Sequence, residues 1–259
     1  MIIKKKVVTP LFDSILREDW SNVGGRLQTN PHEAKVWTKV CLDGNNFSRL
    51  LPLHQASTQN SSPEILHSLI KAYPKALKLR DSTYSRLPLH YACYSMASND
   101  VVKTLIKAYP EGVRKDASLG WLPLHYACSS GASKEVILEL LSTFKRAAKW
   151  KDTCGRLPIH IACLKNAPSE SIEVLLEAYP RSIFDKTEKK NTPLHCAQFH
   201  NSSGKDNSDT ICLLEKWANQ LKDERDQQGD LVSYDNSNMK AAKYSCYFVG
   251  AKISNAEYC

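Results

Sequence analysis

Four apolar clusters at helical spacing recur along the middle of the chain. They are Ile65, Leu66, Leu69 and Ile70; Val101, Val102, Leu105 and Ile106; Val136, Ile137, Leu140 and Leu141; and Ile172, Val174, Leu175 and Leu176. Each gives one buried face of a short amphipathic helix. The helices are predicted to start at Ser62-Pro63-Glu64, Asn99-Asp100, Ser133 and Ser169-Glu170, which offer capping side chains and acids at the positive end of the helix dipole. Three stop at one signal, Ala72-Tyr73-Pro74, Ala108-Tyr109-Pro110 and Ala178-Tyr179-Pro180. The residue before proline disfavours the helical region, so tyrosine is the expected last residue, its ring covering the seam to the next unit.

Ahead of each such helix lies a second, shorter one. Its string returns five times: Leu51-Pro52-Leu53-His54, Leu87-Pro88-Leu89-His90, Leu122-Pro123-Leu124-His125, Leu157-Pro158-Ile159-His160 and Thr192-Pro193-Leu194-His195. The prolines fall 36, 35, 35 and 35 residues apart. A fixed period of that size marks a repeat array. Proline suits the first helical turn, Gly131 can break one helix, and Lys151 to Gly155 reads as a turn. The reading is a degenerate N-terminal capping unit over 9–37, an array over 38–225 whose last unit caps it, and a tail over 226–259. That tail carries no repeat string; it is expected to be loosely ordered, with Tyr244 to Val249 packing locally at most.

Helix, turn, helix and a turn ending in Pro-Leu-His-x-Ala resembles the ankyrin repeat, over roughly residues 9 to 225. The string Leu-Pro-Leu-His-Tyr-Ala-Cys with a terminal Ala-Tyr-Pro is most similar to ankyrin families of diatoms and related algae. The resemblance implies an all-α, ankyrin-type solenoid with short hairpin-like turns between repeats. Two departures stand out. Threonine precedes proline only at Thr192, and leucines at 51, 87, 122 and 157 forfeit a side-chain cap worth about 1 kcal/mol each. The period also exceeds the family's, so shortened or irregular hairpin fingers are expected.

Charge and composition change this picture little. The formal charge is +8, but lysines and arginines look scattered, with no block beyond Lys4 to Lys6, so nucleic acid is the weaker reading. No apolar run approaches a membrane span, and the short apolar stretch after Met1 to Lys6 does not make a secretory signal. Nine cysteines without compact spacing, five of them (Cys93, Cys128, Cys163, Cys196 and Cys212) at small apolar positions, point to a reducing compartment, cytoplasm or nucleus. Gly24-Gly25 is expected to relieve a close contact.

Three kinds of chemistry compete for the repeated residues. His90/Cys93, His125/Cys128 and His160/Cys163 stand at i, i+3 and offer nitrogen and sulfur on one face. Successive units hold such pairs about 8–10 Å apart, too far for one tetrahedral ion, and the resemblance implies that the histidine bonds backbone of adjacent turns. A thiol nucleophile with a histidine base is conceivable, but nothing marks one pair as unlike the rest. Neither a catalytic residue, a metal nor a cofactor is therefore expected. The third reading is partner binding without catalysis. The resemblance places Arg86, Trp121 and Arg156, two residues before each proline, on a concave face, with Leu50 and Asn191 at the same position. It adds the residues ending the first helices: Tyr94, Leu164, Lys165, Phe199 and His200, with Thr58, Gln59 and Ser95, Ser129 and Ser130 at equivalent places. These positions vary while the repeat string hardly does. The expectation is a monomeric protein-binding scaffold whose arginines pair with carboxylates of an extended or acidic segment and whose aromatic rings bury apolar side chains.

Overall fold

The computed structural model describes residues 8–43, 46–59, 61–201 and 207–227. Side chains at 42, 43, 46, 200, 201 and 225–227 are not described; the last helix runs to Gln227, two residues into the expected tail, and the rest of that tail, with Tyr244 to Val249, lies outside the described residues. Helices run in pairs: α1 (Pro10–Leu16) with α2 (Trp20–Thr29), α3 (Pro52–Ser57) with α4 (Pro63–Ala72), α5 (Pro88–Tyr94) with α6 (Asn99–Ala108), α7 (Pro123–Ser130) with α8 (Lys134–Thr143), α9 (Pro158–Leu164) with α10 (Ser169–Ala178), and α11 (Pro193–Asn201) with α12 (Ser208–Gln227). The first helices pack in sequence from α1 to α11 and the second helices from α2 to α12, which makes two parallel layers. One continuous core lies between them, built from the predicted stripes: Val101, Val102, Leu105, Ile137, Leu140, Ile172 and Leu175 are all buried. The chain is an all-α, ankyrin-type solenoid.

Each unit holds a third piece that helical periodicity does not announce. The Tyr-Pro signal does end the second helix, but proline then opens a single 3-10 turn. These turns are Pro31–Lys35, Pro74–Lys78, Pro110–Arg114, Lys145–Lys149 and Pro180–Phe184. The middle of the later ones presents small or apolar residues to the core, as at Ala76 and Leu77, Gly112 and Val113, and Ala147 and Ala148, whereas Pro31–Lys35 buries Glu33 beside Ala34.

The fingers between repeats are irregular, as expected. The first is a true antiparallel hairpin of β1 (Thr38–Asp43) and β2 (Asn46–Leu50). The later ones are tight turns, each closed by a backbone bond: Asp81 N to Arg86 O, Ala117 N to Trp121 O, Asp152 N to Arg156 O and Thr187 N to Asn191 O. Neighbouring fingers are joined by Ser118 N to Tyr84 O, Thr153 N to Leu119 O and Glu188 N to Cys154 O. Left-handed residues recur in register at Ser85, Gly120, Gly155 and Lys190, and again after the first helices at Met96, Gly131 and Asn166.

Several local expectations need correction. Ser62 does cap α4, accepting from the amide of Ile65 at 3.4 Å. α6 and α10 do start at Asn99 and Ser169, but the cap positions fall to Ser98 and Pro168, and neither bonds the helix through its side chain. Ser133 precedes α8 without capping it; its hydroxyl serves the Glu135 carboxylate instead and helps lower that group's pKa. Gly24 and Gly25 relieve no close contact: a Cβ on Gly24 would meet Ile65 Cδ1 at 3.9 Å, and one on Gly25 would meet nothing within 4 Å.

The leucines before proline do leave their helices without a side-chain cap, but the histidine replaces it from inside. Nδ1 of His54, His90, His125 and His160 accepts the amide of Leu51, Leu87, Leu122 and Leu157 at 3.0–3.2 Å. The tautomer follows: the proton must sit on Nε2. There it donates across the unit to the carbonyls of Leu79, Lys115 and Asp185 at 2.9–3.0 Å. At His125 the corresponding carbonyl is that of Trp150, but the bond does not close, and Nε2 is buried without a partner among the described residues. One ring thus ties the start of a first helix to the chain entering the next finger.

Candidate functional site

The fingers and first helices bring most of the expected binding residues together, but not in the expected state. Arg86 is 6 % exposed and Trp121 2 % exposed. Leu50 is also buried. Only the residues at the ends of the first helices are open: Tyr94 at 41 % and Phe199 at 46 %, with Lys165 exposed and Leu164 half-buried between them. His200 lies in α11, with its side chain outside the described set.

The reason is that the arginines and tryptophan make bonds across the seams. The Arg86 guanidinium sits inside a ring of tyrosines, 4.4 Å from the centroid of Tyr84, 4.8 Å from Tyr94, 4.7 Å from Tyr126 and 5.7 Å from Tyr91. A guanidinium is weakly hydrated and stacks on ring faces, so it tolerates this burial where an ammonium would not. Its Nε donates to the Tyr126 hydroxyl at 3.1 Å, linking the second full unit to the third. Trp121 packs edge-on against the same Tyr126, centroids 5.0 Å apart. Its indole N–H donates to Asp152 Oδ2 at 3.0 Å. Arg156 Nε donates to that same oxygen at 2.8 Å, with its guanidinium 5.7 Å from the Trp121 ring. Asp152 Oδ1 meanwhile accepts the amides of Cys154 and Arg156. Asp152 thus ties two fingers together at one point through charge-assisted hydrogen bonds.

Asp81 does the same two fingers earlier. It accepts from the Ser48 hydroxyl and from the amides of Thr83, Tyr84 and Arg86. Burial raises its pKa, yet these donors outweigh burial and leave it lowered. Asp81 and Asp152 were not among the expected residues. The available signal was their place: an acid five or four positions before an arginine, at the start of each turn.

Burial and the fold's own hydrogen bonds occupy most of the histidine and cysteine pairs. His54, His90 and His160 use both ring nitrogens in the fold. Burial lowers their pKa to about 4, about 3 and about 4, and that of His125 to about 4. Burial pushes the thiols of Cys93, Cys128 and Cys163 far up, and that of Cys196 to about 12. A thiol that cannot ionise is not a nucleophile. Among the described residues no group of three or more His, Cys, Asp or Glu is gathered as a metal would need, and no helix is long and apolar enough to cross a membrane. A shallow hollow of about 230 Å³ lies between the starts of α10 and α12, lined by 166–169 and 207–210. Its lining is short and polar, without the apolar walls and converging groups of a small-molecule site.

What remains on this face is a row at one register position, Tyr94, Ser129, Leu164 and Phe199, on four successive first helices. Residues 53–147 match the model for ankyrin repeats, in three copies. No curated protein matches the chain. Ankyrin repeats generally mediate protein–protein interaction, and the matched segment holds the Arg86 cage, Trp121 and Tyr94. The repeat string itself is spent on the core and on the histidine bonds.

Proposed function

We propose that the chain is a non-enzymatic scaffold that binds a partner protein on the concave face of the ankyrin array. The observation that carries this reading is the pair of open aromatic rings, Tyr94 and Phe199, at one register position on α5 and α11. Leu164 and Lys165 lie between them, at the end of α9. Large apolar side chains that keep two-fifths or more of their surface exposed, as these two do, offer a partner apolar area to bury. Arg86, Trp121 and Arg156 serve beneath them. They lock fingers to helices, so the row is held rigid and little ordering cost falls on it when a partner docks. Lys165 contributes positive charge beside the row, which favours a segment carrying a carboxylate. The buried, unionised thiols fit a reducing compartment, cytoplasm or nucleus.

The test is affinity capture with three proteins: wild type, Tyr94→Ser/Phe199→Ser, and Leu138→Ser as a control at an exposed leucine of the second-helix layer. A partner held by wild type and by the control, and lost with the double variant, supports the reading. Equal retention by the double variant refutes it.

A further inference from the structure

The second helices carry acids in their first turns, Glu64, Asp100, Glu135 and Glu170. Lys71 and Lys107 lie in the last turn of two of them, and bases gather in the 3-10 turns that follow, where Glu111 is the one acid among them. The helix dipole explains the sign but not the number. Lys78, Arg114 and Lys149 each close a 3-10 turn and reach over the aromatic ring of the next unit: Tyr109 at 5.4 Å, Phe144 at 5.1 Å and Tyr179 at 4.8 Å. These staples make one row of residues that the sequence scatters 35 or 36 positions apart. Lys75, Lys115 and Arg146 stand beside them, all exposed. Among the described residues no salt bridge reaches any of the six.

This edge also offers acceptors. No backbone N–H outside the helices bonds the carbonyls of Lys71, Ala72, Lys107 or Ala108 among the described residues, as the ends of helices before proline require. We infer that the 3-10 edge of the array is a second docking surface, and that it takes an acidic polypeptide segment in extended form. Carboxylates answer the lysines and arginines, and peptide N–H groups answer the open carbonyls. A phosphodiester chain or a lipid headgroup layer satisfies the cations but brings few or no donors for those carbonyls. Units about 8–10 Å apart match every third residue of an extended chain rising about 3.3 Å per residue.

The experiment is fluorescence anisotropy at low salt with a labelled peptide of about ten residues rich in glutamate, set against an oligouridine RNA and phosphatidylserine vesicles. The variant Lys75→Gln/Lys115→Gln/Arg146→Gln leaves the staples intact and is expected to bind the peptide about tenfold more weakly. The charge-keeping variant Lys75→Arg/Lys115→Arg/Arg146→Lys is expected to bind as wild type does, as is Tyr94→Ser/Phe199→Ser, which separates this surface from the concave one. Unchanged peptide binding by the glutamine variant, or tighter binding of the RNA or the vesicles than of the peptide at equal salt, overturns the inference.

Discussion

Two glycines show how much a single residue's setting decides. Gly25 lies inside α2, exposed, with open space where a Cβ would stand. Alanine there removes backbone freedom from the unfolded chain and costs nothing in the folded one. Gly25→Ala is expected to raise stability by about 0.5–1 kcal/mol in urea titration; a lower midpoint would contradict the helical placement. Gly155 has φ of +70°, and a Cβ there would come within 3.0 Å of the Glu188 amide nitrogen, on the next finger. Gly155→Ala is expected to lose more than about 1 kcal/mol, since strain and a displaced inter-finger bond add. The sequence shows both as glycine. Only the backbone angle and the neighbouring finger tell them apart, and the second of these lies more than thirty positions along the chain at Glu188.

At the scale of elements, the helix pairs and the irregularity of the fingers were legible and the 3-10 turns were not. A helix face is written in a local period, so the stripes from Ile65 to Leu176 fall where periodicity puts them. The 3-10 turns were hidden because five residues are too few to show a period, although Pro74, Pro110 and Pro180 mark their starts. Of the candidate site, Tyr94, Lys165 and Phe199 lie open, whereas Arg86 and Trp121 are closed. Residue type alone misleads there: the groups that make good interface anchors, arginine and aromatic rings, also make good seams when an acid stands nearby. Asp152 is that acid for Trp121 and Arg156. Removing it takes a carboxylate from a largely buried guanidinium, an indole N–H and two finger amides. Asp152→Ala is expected to cost about 3–5 kcal/mol by denaturant unfolding. A loss below about 1 kcal/mol would mean that the seam is held by packing alone.

Across the whole molecule, the four histidines of the leucine-bearing units make stability depend on pH in a defined window. Folded, they are neutral, with pKa lowered by burial to about 4, or about 3 at His90. Unfolded, they bind a proton near pH ~6.5. The unfolded chain therefore holds more protons below that pH, and stability falls as pH falls from about 6.5 toward about 4. Each histidine steepens the fall by up to about 1.4 kcal/mol per pH unit within the window. Carboxylates held low, such as Asp81, withdraw their support only at more acid pH. Hence the interval from about pH 6.5 to about 5 reports the histidines almost alone. Urea midpoints by circular dichroism at about pH 7.5, 6.5 and 5 are expected to be nearly level over the first step and to drop over the second. Because every unit contacts only its neighbours, protonating one histidine weakens two interfaces and the loss spreads along the stack. His90→Gln, which keeps an amide near the Leu87 N–H and a donor toward Lys115, is expected to lower the midpoint at neutral pH and flatten a share of the drop. A midpoint that does not move between about pH 6.5 and about 5 would show that these rings are not the neutral ties the hydrogen bonds describe.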